Sequence, residues 1–436
     1  MSVQSEAEQY QNELIKIREE IEKGTGKTAK ELYDEREQRV RDAIEMRVPD
    51  RVPFAAHIDT QKYTGVKNSA GYYDPIAFKR AMRKITLDFE PDMCNAGLPS
   101  SGESMELLDV QNRLWPGGPL PDDYDYQFVE HEFMKADEYD MFLTDPSGFM
   151  IRRFLPRMYG TLKPLEKLPP LDSMFMGFEF MASMFNTPEF MEMAARIAEA
   201  GKKSAEFRKA IGDSYGELAN LGFPPFTSMV AGSVGGAPFD TLSSFLRGMQ
   251  GSMIDMFRRP EKLLQACDAI IDRRIATAIP VAPAEFGTKR IGMPLWRGDK
   301  SFMSEAQFDR FYWPGLKKAL QASINLGLVP IPFFEAEFGD RLERLLELPA
   351  GKVVASIEAV DAVKAKEILG NHTCLYIRSP LSSKVWSLND LETYTKELID
   401  KCGKGGGLLL DIRLPDSADR DSARAMFASL NEYSRY

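Results

Sequence analysis

Leu408-Leu409-Leu410-Asp411-Ile412-Arg413 is the stretch that decides the fold. It is short, almost wholly apolar, and ends on charge. Such a run reads as a strand buried on both faces, the kind found in parallel sheets covered by helices. Side chains alternate along a strand. Leu408, Leu410 and Ile412 therefore share one face, and Leu409, Asp411 and Arg413 share the other. The all-apolar face packs on helices, and the charged pair lies at the C-terminal end of the opposite face.

Working outward, the same pattern recurs. Strands are predicted at Arg51–Asp59, Pro91–Asn95, Phe226–Ala231, Arg290–Trp296, Val329–Glu335, Val353–Glu358, Thr373–Arg378 and Leu408–Arg413. Helices are predicted between them. One is opened by Asp74-Pro75 and runs to Phe89. Others span Pro188–Ala219, Pro238–Phe257, Pro260–Thr277, Ser304–Leu326, Asp340–Glu347, Asp361–Leu369, Leu388–Lys401 and Asp419–Tyr433. Ser304-x-x-Gln307 reads as a capping box. Eight alternating units predict an α/β fold, a single (β/α)8 TIM-type barrel with right-handed crossovers. Residues 97–186 form a long insertion after the second strand. Asp145-Pro146 opens a helix in it, and Tyr126–Met134 is predicted to form a hairpin. Residues 1–46 form a helical N-terminal extension and 47–436 the barrel domain. The extension holds two helices, the first ending near Gly24 and the second running from about Thr28 to Met46, and is read as a contact for another subunit, a homodimer being one arrangement. Gly24-Thr-Gly-Lys-Thr28 lacks the first glycine of a phosphate loop and follows a helix rather than a strand. It reads instead as a helix end followed by a Thr N-cap.

The composition narrows the function. Of 436 residues, 55 are Lys or Arg and 65 are Asp or Glu, a net charge of −10 that argues against a nucleic-acid backbone as partner. No stretch approaches a membrane span. The N-terminus lacks a signal-peptide pattern, and four scattered Cys fit a reducing, cytoplasmic setting. With only three His, few positions can do imidazole chemistry.

Active sites of such barrels lie at the C-terminal strand ends. Strand parity brings His57, Asp59, Glu335, Glu358, Tyr376, Arg378, Asp411 and Arg413 to that rim, with Asn95 and Arg297 at strand ends of ambiguous parity. Buried charge is costly unless paired or used. The set is thus read either as a ligand site or as ion pairs closing the barrel top. Only His57 among the three His lands there, where it suits a proton donor, an orienting pair with Asp59, or a metal ligand. His372 falls at the barrel bottom and His131 in the insertion. No Cys-x-x-Cys or His-x-Cys pair falls at the rim, so a thiolate-rich zinc site is not expected. A His/carboxylate site from His57, Glu335 and Glu358 stays open. The turn Ala231–Pro238 fits an anion-binding helix start or a plain tight turn. The Met- and Phe-rich run from Met174 to Phe185 fits core or an adaptable apolar pocket.

Several motifs are similar to those of the uroporphyrinogen decarboxylase superfamily. They are Arg47-Val-Pro-Asp-Arg-Val-Pro53, Asp88-Phe-Glu-Pro-Asp92, Pro238-Phe-Asp-Thr-Leu242, Phe302-Met-Ser-Glu-Ala-Gln-Phe308 with Tyr312-Trp-Pro314, Ala365-Lys-Glu-Ile-Leu-Gly370 and Gly403-Lys-Gly-Gly-Gly407. The resemblance covers about residues 40 to 436. It independently implies a (β/α)8 barrel. It also implies one of two activities: cofactor-independent decarboxylation of a tetrapyrrole, or methyl transfer to a corrinoid carried on a separate protein. The Arg-rich motif of true decarboxylases is absent, and Ala55-Ala-His-Ile-Asp59 stands there instead. Many corrinoid-linked members carry His-x-Cys on the fifth strand and Cys near the eighth; here those strands end Phe333-Phe-Glu-Ala-Glu337 and Leu410-Asp-Ile-Arg413. The resemblance is closer to the methyltransferase-like members. It implies a methyltransferase subunit of O-demethylase type that acts on a small methylated substrate, such as a methoxylated aromatic, with cobalamin arriving on a partner. His57, Asp59 and Glu335 are the residues expected to activate the substrate, and Arg378 and Arg413 to grip its anionic group. Alternatives are a decarboxylase of a tetrapyrrole or other carboxylate, and a catalytically altered binding subunit.

Overall fold

The computed structural model describes residues 3–94, 97, 99–170, 177–227, 234–278 and 289–436. Six parallel strands form one sheet in the order β1-β8-β7-β6-β5-β4. They are β1 (Phe54–His57), β4 (Arg290–Leu295), β5 (Val329–Phe334), β6 (Val354–Ile357), β7 (Cys374–Arg378) and β8 (Leu408–Arg413). A separate antiparallel pair joins β2 (Arg113–Leu114) to β3 (Gln127–Phe128). The chain is thus a mixed α/β protein with a six-stranded parallel sheet.

The other two strands expected of a barrel are present only as single contacts among the described residues. Asp92 N–H donates to Phe54 O, Cys94 N–H to Pro224 O, and Phe226 N–H to Cys94 O. Cys94 and Pro225 form one isolated parallel bridge. Residues 228–231 of the expected Phe226–Ala231 strand lie outside the described residues.

The predicted face alternation holds. Leu408, Leu410, Ile412, Leu375, Ile377, Ala355 and Ile357 join the cluster that packs against the helices. Ala55, Ile331, Val354, Cys374, Tyr376 and Leu409 join a second cluster on the other face. That inner cluster also takes Val40, Ala43 and Ile44. They come from helix Ala29–Ile44, which Thr28 opens with a full capping box. The second N-terminal helix is therefore built into the core as a floor beneath the inner cluster. Arg290 at the start of β4 fixes it there, with both terminal nitrogens 2.9 Å from Glu37.

Helix starts follow the sequence closely. Asp74, Asp361 and Asp419 each cap a helix with the side chain, and Ser304 with Gln307 forms the expected capping box. Three expectations are corrected. The 188–219 helix stops at Ile211, because Gly212 turns to φ 55° and Asp213 caps a new helix, Ser214–Ala219. The 238–257 helix is two helices, Pro238–Phe245 and Gly248–Arg258, with Gly248 at φ 72°. The hairpin does not lie within 126–134: Gln127 and Phe128 pair back to Leu114 and Arg113. No turn signal inside 126–134 closes a local hairpin, while the Pro- and Gly-rich loop at 115–121 returns the chain to the earlier segment.

Candidate functional site

Register sets the rim. β1 and β8 pair His57 with Arg413, and β7 and β8 pair Arg378 with Asp411. The charged ends of three strands thereby reach one level. Glu335 and Glu358 follow directly after β5 and β6. On β4, Ile291, Met293 and Leu295 are buried against the helices while Gly292 and Pro294 are exposed. The face open to water is thus the inner one.

Four of the rim charges pair with each other. Arg413 Nη1 donates to Glu358 Oε1 at 2.9 Å and to Ser379 O at 3.2 Å. Arg378 Nε donates to Asp411 Oδ2 at 3.1 Å, and its guanidinium lies 4.5 Å from the Phe333 ring centroid. Ser379 Oγ donates to the Asp411 carbonyl and receives the Arg413 N–H. Tyr376, expected to touch substrate, is buried against Phe226 with ring centroids 4.3 Å apart. Its hydroxyl is held well above the ordinary tyrosine pKa, first by burial and then by the Asp411 charge.

His57 stands apart from these pairs. Its ring is open to solvent yet sits deep among protein atoms on the cavity wall. Burial lowers its pKa below 6.5; Arg413, Arg378 and Lys384 add to the lowering, and Asp411 opposes it. The imidazole is therefore neutral at pH 7, a hydrogen-bond donor at one nitrogen and an acceptor at the other. Glu335 shifts the other way: burial and the Glu358 charge raise its carboxyl pKa, with Arg378 opposing.

Two expected members lie elsewhere. Asp59 caps helix Thr60–Thr64 by accepting the Lys62 N–H at 2.9 Å. Arg297 reaches away from the rim, donating to Glu130 at 2.5 Å and covering the Phe302 ring. Asn95 lies outside the described residues, as do Ala231–Ser233 of the glycine-rich turn and Met174–Met176 of the Met/Phe run. His372 contacts Thr373 at the start of β7, and His131 contacts the Gln111 carbonyl in the insertion.

Among the described residues, no three His, Cys, Asp or Glu side chains come together as a metal-holding group. His57, Glu335 and Glu358 are thus not placed as a ligand set. All four Cys are buried and unpaired, and burial pushes the Cys94 thiol up to about 12.

Next to His57 the structure opens a cavity of about 540 Å³. Its walls include Tyr72, Phe78, Met82, Tyr124, Tyr126 and Arg113. The cavity and the charged rim meet at His57. These wall residues were not predicted, because strand parity reaches only the strands. Helices Ala70–Tyr73 and Pro75–Phe89 and the insertion supply the walls.

Behind the end of β4 lies Asp240, fully buried on the helix Pro238–Phe245. It accepts from Tyr312 Oη at 2.6 Å and from the Arg297 N–H at 3.0 Å. Burial raises its carboxyl from 3.8 to about 7, against those hydrogen bonds. Between these values the folded chain holds a proton that the unfolded chain releases. Its contribution to stability therefore declines as pH rises from about 4 to 7 and is flat above. Asp240→Asn cannot titrate. The thermal-midpoint gap between wild type and variant should shift in the variant's favour across that window, by on the order of a few kcal/mol in stability. A gap independent of pH would contradict this.

The fold resembles a known enzyme. The chain is similar in structure to a methyltransferase from Methanosarcina mazei, with a TM-score of 0.53 and 14% sequence identity. The likeness spans 91% of this chain and 98% of that one. At such identity it is a likeness of fold. No family model matches the sequence, and no curated protein matches it.

Proposed function

We propose that this chain is the methyltransferase subunit of a cytoplasmic O-demethylase, moving a methyl group from a methoxylated aromatic to a corrinoid carried by a partner protein. We read its sheet as part of a closed (β/α)8 barrel, with the contacts at Asp92–Cys94 and Pro224–Phe226 continuing it. The observation that carries the functional reading is the aromatic-walled cavity of about 540 Å³ with His57 on its wall. Its volume and apolar lining suit a small aromatic ligand. The methyltransferase fold likeness supports the same class of activity.

Breaking a methyl–oxygen bond leaves charge on the aryl oxygen. A neutral imidazole can donate a hydrogen bond there without first losing a proton to solvent. Glu335, with its raised pKa, is a second group able to carry a proton at the rim. The partner's corrinoid would supply the nucleophile that receives the methyl group. Residues of this chain orient the ring and limit water in the cavity. Arg378 and Arg413 are engaged by Asp411 and Glu358; the rim thus favours methyl transfer over a decarboxylase that needs free arginines for several carboxylates.

The test is to mix the purified chain with a reduced corrinoid protein and a panel of methoxylated aromatics. Methylation of the corrinoid, followed by its absorbance change, is the expected result. The reading is lost if no donor methylates it while a carboxylated tetrapyrrole releases carbon dioxide.

A further inference from the structure

Arg113 is a cation in the aromatic cavity that no ion pair or hydrogen bond among the described residues engages. It sits on β2, whose pairing with β3 sets it opposite Phe128. A further hydrogen bond, from Val129 N–H to Asn112 O at 2.8 Å, extends that pairing. The side chain is half-buried and lines the same cavity as His57, Tyr72, Tyr124 and Tyr126. Among the described residues it has no ion-pair or hydrogen-bond partner, whereas Arg378, Arg413 and Arg297 are each paired. Its charge is felt at Tyr72, where it lowers the hydroxyl pKa against burial.

The surroundings favour an anion there. Arg113 also lines a second pocket of about 360 Å³, with Ser100, Ser101, Ser104 and Arg208. Among the described residues, no acidic side chain lines that pocket. In the aromatic cavity the single carboxylate among the described residues is Asp125, which is exposed and meets Asn68 Nδ2 at 3.3 Å. It forms no ion pair with Arg113.

A half-buried guanidinium without a partner is poorly placed by itself, and a planar carboxylate matches its fork of donors in two parallel hydrogen bonds. We propose that Arg113 binds a carboxylate on the substrate ring, making the methyl donor a methoxylated arenecarboxylate and not a neutral methoxyarene. This deepens the methyl-transfer reading and rests on it for the identity of the reaction. The rim arginines then hold the rim together, and substrate charge is read by the insertion.

Calorimetric titration of the full chain with 4-methoxybenzoate and its uncharged amide tests this without any corrinoid. Wild type should bind the carboxylate at least about tenfold more tightly than the amide. Arg113→Met should erase that preference by weakening carboxylate binding far more than amide binding, and Arg113→Lys should keep part of it. An unchanged thermal midpoint in the variants shows that they fold. Equal binding of the two ligands to wild type overturns the proposal, as does an Arg113→Met variant that keeps the preference. Methylation of the corrinoid by uncharged methoxyarenes, equally fast in wild type and Arg113→Met, overturns it too while leaving the methyl-transfer reading standing. An intact carboxylate preference with no methylation from any donor supports the binding site and removes that reaction.

Discussion

Replacing Asp92 by alanine is expected to destabilise the fold by about 3–5 kcal/mol, the cost of stranding buried charge. Asp92 is wholly buried and accepts four hydrogen bonds. Arg51 supplies two, at 2.6 and 2.7 Å, Arg39 one at 2.6 Å, and the Phe54 N–H one at 3.0 Å. These join the floor helix, the lead into β1 and the segment after helix Pro75–Phe89 at one point. Arg39 would keep Asp50, which is largely exposed; Arg51 would keep a long contact to the Val52 carbonyl and its place over the Phe54 ring. Denaturant unfolding measures the effect, and Asp92→Asn should fall between wild type and Asp92→Ala. A loss below about 1 kcal/mol would show that water reaches both arginines freely. The same geometry explains the two motifs Arg47–Pro53 and Asp88–Asp92: their Arg and Asp are partners across the chain.

The second large effect concerns chemistry. His57→Ala should lower corrinoid methylation by about 10²–10⁴-fold, the usual range for losing a positioned proton-handling group. Stability should change little, because His57 makes no side-chain hydrogen bond among the described residues and stands open to the cavity. Its pKa is lowered below 6.5, so the neutral form prevails at and above neutral pH. Wild-type rate should accordingly be level from about pH 7 upward, with no change across the ordinary histidine range above it. Full activity in His57→Ala would remove the residue from the site. A rate that climbs through pH 7 would show an imidazole titrating normally.

Much of the rim was legible in the sequence because a strand has a fixed period of two. Leu408, Leu410 and Ile412 had to face one side, and this fixed Asp411 and Arg413 on the other. The same rule placed Glu358 and Arg378 correctly at the strand ends. It could not say that these four would neutralise one another, since partners are chosen by register between strands. Arg297 and Asp59 show where the rule stops: two residues past a strand end, a side chain follows its loop or caps the next helix. The cavity walls were illegible for the same reason. Tyr72 and Phe78 come from two separate helices and Arg113 from the insertion, and the alternation along a strand says nothing about where those elements pack.

By itself the sequence determined the alternating α/β order, the helix starts at Asp74, Thr28, Ser304 and Asp419, and which face of each strand carries charge. Each of these depends on residues a few positions apart, so local geometry suffices. Only the tertiary structure decided the rest. It put Ala29–Ile44 under the inner cluster and closed Arg413 on Glu358. It also set His57 and Arg113, 56 positions apart in the chain, on the walls of one cavity. Those juxtapositions depend on how separate elements pack, which no spacing in the chain encodes.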